Sequence, residues 1–315
     1  MSEDFPENTA AKLRESGSVL TVGTFDGVHK GHRAILEQVV ATAREEGCPG
    51  VIVTFDPHPR SVVGKSGPME LLTPIAERIS LLKSFGIDEV VVVPFTPAFA
   101  GLSPEAYIQE FLVKSFAPKA IVTGYDHHFG KSRAGNFDTL ARFAPVFNYR
   151  LSEIPATTID EAAVSSTKIR TALREGRVAD AARMLDRLYS VAGMVVKGKQ
   201  LGRTIGFPTA NVVPLEPAQL IPAEGVYAAI AETQSGLRTK AMVNIGRRPT
   251  VEAGGERTIE AHLLGDFSGN IYDQTLRISF VERLRVEQKF ASLDALKAQL
   301  AQDRSQAEAI LEGVL

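Results

Sequence analysis

The feature that most constrains this fold is a change in hydrophobic pattern near residue 186. Before it, apolar strand-like runs alternate with amphipathic stretches of helical spacing, such as residues 74–85. Strands alternating with helices predict an α/β domain, a Rossmann-like parallel sheet covered on both faces. The strands predicted by this pattern are residues 19–22, 50–55, 89–95, 120–124 and 147–154.

After Tyr189 the pattern consists of short β-rich runs separated by glycine, proline and asparagine turns. Closely spaced strands without intervening helices predict an antiparallel β-barrel. Residues 292–311 return to helical spacing, with Ser292 as the expected N-cap of a C-terminal helix. We therefore predict two domains, residues 1–185 and 186–315. The predicted barrel strands are residues 191–196, 226–231, 240–244, 258–264 and 276–281.

Composition limits the functional classes. A chain of 315 residues can bury two cores, and 35 basic against 37 acidic residues do not favour nucleic acid or a membrane as a partner. Any phosphate binding must be local. Cys48 is the single cysteine, which allows no internal disulfide and fits a reducing compartment. The sequence shows no signal-peptide pattern and no run long enough to span a membrane, so we expect a soluble cytoplasmic protein.

Residues 24–32 place His29 and His32 among glycines where a strand runs into a helix. Unpaired backbone N–H groups and the helix dipole favour a phosphate there, and imidazoles can add donors. The pattern HxGH alone is also compatible with two polar residues that close a helix end. A metal site formed by Asp26, His29 and His32 is less favoured, because no further His or Cys lies nearby to complete a tetrahedral set.

Three further segments of the first half lie at strand ends or helix starts. Residues 54–59 carry two prolines that stiffen a loop, or form a simple turn. Residues 123–136 gather Asp126, basic side chains and glycines directly after a strand, which suits an anion or ribose site as well as solvated charge. Residues 164–170 open a helix with more hydroxyls than capping needs, followed by Lys168 and Arg170, a set that suits a phosphate or pyrophosphate.

The second half contains a glycine-punctuated basic loop, residues 193–211. Such a loop can lay backbone N–H groups over phosphates, or it can be a plain basic hairpin connection. It lacks the spacing G-x-x-x-x-G-K-[ST], which excludes a P-loop.

The string GTFDGVHKGH at residues 23–32 resembles the nucleotidylyltransferase signature in the variant found in bacterial FAD synthetases, and the three segments above resemble that family's other motifs. The resemblance implies adenylyl transfer from ATP to FMN, with His29 and His32 at the reacting phosphates. It implies nucleotide or flavin contacts from Gly23, Phe25, Asp26, Asp126 and Asn136, and contacts to the leaving phosphates from Ser166, Thr167 and Arg170.

Residues 198–211, with the string GFPTAN intact, resemble the riboflavin kinase signature, and residues 244–250, 258–264 and 285–290 repeat that family's pattern. The resemblance implies Mg²⁺ held by the oxygens of Thr209 and Asn211 beside ATP phosphates. Glu260 is the candidate base, although a glutamate on the exposed face of an edge strand would look the same. The implied ATP and flavin contacts come from Gly198, Lys199, Gly202, Arg203, Gly206, Pro208 and Arg248.

The sequence therefore predicts one bifunctional enzyme that converts riboflavin to FMN and FMN to FAD, with ATP, Mg²⁺ and flavins as ligands. A nucleotidylyltransferase for another phosphate ester would leave the second domain without a task, and a flavin-binding regulator would be expected to have lost its catalytic residues. Two positions depart from the family pattern: His127-His128 in the Asp126 loop, and Asp273, where a glycine is usual after the tyrosine. Adjacent extended residues point in opposite directions, so we expect His127 and His128 not to serve one site.

Overall fold

The computed structural model describes residues 7–64, 69–155, 164–198, 205–247, 257–265 and 271–314, with side chains from residue 11 onward. The chain divides into two compact units, residues 1–165 and 166–315. The division at residue 186, predicted from the hydrophobic pattern, stays a prediction.

The first unit contains a parallel sheet of five strands in the order β3-β2-β1-β4-β5. This confirms the predicted α/β architecture. The strands are β1 (Ser18–Val22), β2 (Gly50–Asp56), β3 (Glu89–Pro94), β4 (Pro118–Gly124) and β5 (Arg150–Ile154).

Helices and short turns connect these strands. The helices are α1 (Glu7–Ser16), α2 (Lys30–Glu46), α3 (Pro59–Val63), α4 (Ile75–Ser84), α5 (Pro97–Ala100), α6 (Pro104–Ala106), α7 (Lys114–Phe116) and α8 (Phe137–Phe147), with a π-helix at Tyr107–Val113 and a 3-10 turn at Lys131–Arg133.

Both faces of the sheet are buried, as the pattern predicts. Successive side chains of a strand point to opposite faces. Val19 packs in one apolar cluster, with Leu36 and Val39 of α2, while Leu20 packs in another, with Ile108 of the π-helix. Among the described residues, helices therefore cover both faces at the centre of the sheet, which leaves its edges and strand ends for ligands.

The strand order reverses at β1, because β2 and β3 lie on one side of it and β4 and β5 on the other. In open parallel sheets the crevice at such a reversal, beyond the carboxyl ends of the strands, is where ligands bind. The histidine turn (residues 24–32) follows β1, and the Asp126 loop (residues 123–136) begins at the end of β4. Both predicted ligand segments therefore lie at this reversal.

The second unit begins with two helices, α9 (Ser166–Arg174) and α10 (Val178–Leu185), and continues into a closed barrel in the order β10-β7-β6-β11-β8-β9. Every strand pair is antiparallel, which confirms the predicted barrel. The strands are β6 (Tyr189–Val196), β7 (Ala210–Pro214), β8 (Gly225–Thr233), β9 (Arg238–Arg247), β10 (Arg257–Leu263) and β11 (Thr275–Arg285).

The C-terminal helix α11 (Leu293–Ile310) is confirmed, and the Ser292 hydroxyl caps it by accepting from Ala295 N–H at 3.2 Å. Its apolar face packs on β8 through Ala307. Asp303, 1% exposed, accepts the Nε–H of Arg285 on β11, which is shared between its two oxygens at 3.0 and 2.9 Å. A buried, charge-assisted contact of this kind fixes the helix against the barrel.

Two departures from the predicted strands have a local physical reason. The strand predicted from residue 147 begins at Arg150, because Phe147 belongs to α8 and Asn148 ends that helix in the left-handed region with φ 54°. Strand β7 was missed, because Ala210–Pro214 is short, carries an asparagine and ends in proline, all of which weaken a strand pattern.

Candidate functional site

The turn between β1 and α2 has a strained backbone. Phe25, Gly27 and Val28 all have positive φ, at 46°, 92° and 39°. Left-handed geometry is ordinary for glycine but costly for a β-branched residue such as valine. Such strain persists only where surrounding contacts impose it, and it clusters at functional sites.

His29 and His32 lie together at the start of α2, as predicted. His29 is the N-cap and is 8% exposed, and its backbone N–H donates to Nδ1 of His32 at 3.3 Å. The two rings stack with centroids 3.7 Å apart at 18°, and Phe25 meets His32 edge-on at 5.1 Å. Because Nδ1 of His32 accepts, the proton of its neutral ring lies on Nε2, where it can donate to an anion.

Asp26 stabilises this turn through buried hydrogen bonds. Its carboxylate, 1% exposed, accepts from Leu72 N–H at 3.0 and 3.1 Å and from Thr73 N–H at 3.0 Å. The Thr73 hydroxyl in turn accepts from Gly27 N–H at 3.0 Å. The contacts described for Asp26 therefore fix the turn that carries His29, and its predicted contact with a nucleotide stays a prediction.

Arg78 also stabilises this turn, and the sequence pattern did not predict its role. Its guanidinium is 1% exposed, lies 3.8 Å from Asp26 Oδ1 and donates to the Thr73 carbonyl at 3.1 Å. Burial lowers the pKa of Arg78 below its ordinary value, and the carboxylates of Asp26 and Asp56 oppose that shift. The available signal was an arginine four residues before Leu82, on the buried face of an amphipathic helix.

The Asp126 loop begins one residue after β4 ends. Asp126 is exposed, and its carbonyl lies 2.9 Å from Nδ1 of His128, which is also exposed. His127 is half-buried, with its ring 5.6 Å from that of Phe129. Burial lowers the pKa of His127 to about 4, with Asp126 opposing the shift. The two histidines therefore occupy different environments, in accord with the expectation that they do not share a site.

The far end of this loop is closed by packing and by a helix cap. Gly135 pairs with Phe129 across the loop, and a Cβ at Gly135 would lie 2.4 Å from the Phe129 ring, so glycine is required. Asn136 caps α8 by accepting from Thr139 N–H at 3.0 Å. Its structural role is thereby explained, and its predicted ligand contact stays a prediction.

The phosphate residues predicted at the start of α9 fall in the second compact unit. Thr167 is exposed, Ser166 half-buried and Arg170 buried, at 5% exposure. Their cooperation with His29 and His32 stays a prediction.

The candidate kinase residues meet where three barrel strands adjoin. Glu260 on β10 lies opposite Asn211 of β7 and opposite Asn244 of β9. Thr209 donates its hydroxyl to Glu260 Oε2 at 3.4 Å. Strand β10 has a neighbour on each side within the closed barrel, so the alternative of an edge-strand glutamate is wrong.

Gly198 lies beside the same site. A Cβ at Gly198 would lie 2.1 Å from Asn211 Nδ2, so the backbone passes directly over that amide. Gly206 has φ 88°, in the left-handed region, two residues before Pro208. The predicted contacts Lys199, Gly202, Arg203 and Arg248 lie outside the described residues.

A second carboxylate, Glu287, adjoins this row of polar residues. A Cβ at Gly246 would lie 2.6 Å from Glu287 Oε1 and 3.4 Å from Asn244 Nδ2. Although Glu287 as a residue is exposed, partial desolvation of its carboxyl raises its pKa, and the carboxylates of Glu224 and Glu260 add to the shift. The sequence singled out the segment around Glu287 but not its proximity to Glu260.

The oxygen ligands present suit one kind of metal. Within the described residues, no group of three or more His, Cys, Asp and Glu side chains could hold a metal ion. Thr209 and Asn211 instead offer a hydroxyl and an amide oxygen, the hard oxygens that Mg²⁺ takes together with water and nucleotide phosphates. Among the same residues, no helix is both long and apolar enough to cross a bilayer.

Comparison with known proteins agrees with this two-site architecture. The sequence model of the FAD synthetase family matches residues 11–168, and that of the riboflavin kinase family matches residues 185–311. The bifunctional riboflavin kinase/FMN adenylyltransferase of Escherichia coli K12 is 37% identical, over 92% of this chain and 91% of its own length. The chain belongs to the bifunctional riboflavin kinase/FMN adenylyltransferase family.

Two further relatives extend the comparison. The family member from Listeria monocytogenes is 34% identical over 96% of this chain and 95% of its own. A crystal structure described as a macrolide-efflux protein from Streptococcus pneumoniae is 32% identical, with a TM-score of 0.83, and covers 94% of this chain and 97% of that one. The name macrolide-efflux protein applies to that streptococcal structure and not to this chain. In this family member, both predicted domains thus have matched sequence across nearly the whole chain.

Proposed function

We propose that this family member carries out two successive reactions with ATP: the barrel phosphorylates riboflavin to FMN, and the parallel-sheet domain adenylylates FMN to FAD. The observation that carries the proposal is the pairing of family membership with two separate polar sites, one around Glu260 and one around the stacked His29 and His32.

In the barrel, Glu260 is the base. The primary hydroxyl of riboflavin attacks the γ-phosphorus of ATP, its proton passes to the Glu260 carboxylate, and ADP leaves. Thr209, whose hydroxyl is within 3.4 Å of Glu260, and Asn211 on the adjoining strand would hold Mg²⁺. When bound, Mg²⁺ neutralises the negative charge of the phosphates. The backbone at Gly198 passes close to the Asn211 amide, which supports a role for Gly198 in this site.

In the parallel-sheet domain, an oxygen of the FMN phosphate attacks the α-phosphorus of ATP and pyrophosphate leaves. No proton need be removed from an ionised phosphate, so the protein contributes positioning and stabilisation of charge. The stacked histidines at the amino end of α2 would donate to the phosphates, supported by the backbone N–H groups of that helix. Asp126 lies across the strand reversal, which suits contact with the nucleoside or the flavin.

We assign the reactions to the cytoplasm, since the single Cys48 is consistent with a reducing compartment. The substrates are small molecules: riboflavin, FMN and ATP. The direct test incubates the purified chain with riboflavin, ATP and Mg²⁺ and resolves FMN from FAD by chromatography. The proposal expects FMN first and FAD after it. Riboflavin left unchanged, with added FMN also left unadenylylated, would refute it.

A further inference from the structure

A buried histidine adjoins the kinase site without belonging to any predicted role. His262 lies two residues after Glu260 on β10, so the two side chains leave the same face of the strand. Its ring is 5% exposed and packs 5.3 Å from the Phe207 ring at 58°. Its Nδ1 lies 2.7 Å from the backbone carbonyl oxygen of Pro208.

The chemistry of this contact fixes the protonation of the ring. A carbonyl oxygen can only accept, so Nδ1 carries the proton and donates it. Burial lowers the pKa of His262, with Arg304 adding to the shift and the bond to Pro208 opposing it. Nε2 is buried and has no hydrogen-bond partner among the described residues. A neutral ring meets these conditions, because the buried Nε2 then bears a lone pair and no unsatisfied N–H.

The carbonyl that His262 holds is joined directly to Thr209. Pro208 is exposed, so its position depends little on packing. The next residue, Thr209, donates to Glu260 at 3.4 Å, at the long end of a hydroxyl–carboxylate hydrogen bond. Two positions of one strand therefore meet two successive residues of the loop: His262 meets Pro208, and Glu260 meets Thr209. A shift of Pro208 would carry Thr209 away from Glu260.

We propose that His262 is a positioning residue for phosphoryl transfer, which holds the Pro208 carbonyl so that the Thr209 hydroxyl stays beside Glu260. This inference rests on the proposed kinase function of the barrel. His262 touches neither substrate nor phosphate in this account. It acts through the loop, as residues do that orient the direct ligands of a metal or substrate.

The test uses three substitutions that separate hydrogen bonding from packing. In His262→Asn, the amide nitrogen occupies the position of Nδ1 and keeps the donor. His262→Leu has the same branched shape as asparagine but no donor. His262→Gln is polar but carries its donor one bond further out, at the position of Nε2. Each full-length variant is assayed for riboflavin phosphorylation. FMN adenylylation by the same preparation is the internal control for enzyme concentration, and circular dichroism checks that the barrel is folded.

The proposal expects kcat for phosphorylation to fall about 10- to 100-fold in His262→Leu and in His262→Gln, and to recover most of that loss in His262→Asn. The KM for riboflavin should change far less than kcat, and adenylylation should be unchanged. A purely structural role predicts the reverse order, since a buried leucine is tolerated better than a buried asparagine.

The proposal is overturned if His262→Leu or His262→Gln keeps kcat within about threefold of the unaltered chain, or if His262→Asn is as impaired as His262→Leu. Should His262→Leu fail to fold, the comparison of His262→Asn with His262→Gln decides the question alone. An unaltered chain that forms no FMN from riboflavin would refute the proposed function itself, which is a separate outcome.

Discussion

The buried pair of Arg78 and Asp26 should be the most sensitive point of the first domain. Both side chains are 1% exposed, and Arg78 also donates to the Thr73 carbonyl at 3.1 Å and to the Phe55 carbonyl at 3.4 Å. Arg78→Met keeps the apolar stem and removes the charge. Breaking a buried pair by removing one partner costs about 3–5 kcal/mol, because the other charge remains buried.

The structure indicates the lower end of that range. Asp26 keeps its contacts with two backbone N–H groups, those of Leu72 and Thr73, after Arg78 is removed. We therefore expect a loss of about 3 kcal/mol in the free energy of unfolding, which is roughly a 150-fold change in the folding equilibrium constant. For a unit of this size, the same loss lowers Tm by about 6–12 °C.

The assay is urea unfolding followed by circular dichroism, since the chain has no tryptophan. Arg142→Met is the matched control, because Arg142 pairs with Glu105 at 3.5 Å while the two side chains are 65% and 54% exposed. The control substitution should lower the free energy of unfolding by less than about 1 kcal/mol. If Arg78→Met lowers the free energy of unfolding no more than Arg142→Met does, the contacts of Arg78 around the histidine turn do not stabilise the domain.

The double variant Asp26→Asn/Arg78→Met should lose less free energy of unfolding than the sum of the two single losses.

Three other predictions follow from single contacts. Because the pKa of His127 is lowered from 6.5 to about 4, its contribution to stability is full above about pH 6.5 and is lost as the pH falls towards 4. Since the ring is only half-buried, we expect the free energy of unfolding to be about 1–2 kcal/mol lower at pH 4.5 than at pH 7, measured by urea unfolding. His127→Phe should abolish this difference, and an unchanged pH dependence in that variant would contradict the prediction. Gly198→Ala should reduce phosphorylation at least about 10-fold and leave adenylylation intact, because its Cβ would lie 2.1 Å from Asn211 Nδ2. Normal kinase activity would show that the close approach of Gly198 to Asn211 is not needed for phosphorylation. Asp273, at φ 61°, keeps the left-handed turn where glycine is usual, so Asp273→Gly should raise the free energy of unfolding by roughly 0.5 kcal/mol, and a destabilised variant would contradict that explanation.

The sequence predicted the architecture well because hydrophobic periodicity reports burial. The central strands β1 and β2 are buried on both faces, and β10 alternates buried Ile259 and Ala261 with half-buried Glu260. The pattern failed at β7, whose short run ends in Pro214, and at Phe147, whose apolar side chain serves a helix instead of the following strand. Element ends depend on caps and neighbours that periodicity does not encode.

The site was predictable where motifs concentrate chemistry, and hidden where a residue acts through the backbone. His29 and His32 were brought together as expected because they are three residues apart at a helix start. Arg78 and His262 were not singled out, since their partners are distant in sequence and largely backbone groups: the Thr73 carbonyl for Arg78 and the Pro208 carbonyl for His262. A backbone partner leaves no residue-type signal in a single sequence.

The measurement that tests the central claim most directly compares both activities of Glu260→Gln in one preparation. The substitution keeps the size of the side chain and removes the base. Phosphorylation of riboflavin should fall by at least about 100-fold, while adenylylation of supplied FMN should proceed at the rate of the unaltered chain. A parallel loss of both activities in the folded protein, or phosphorylation at the unaltered rate, would contradict two separate sites with Glu260 as the base of one.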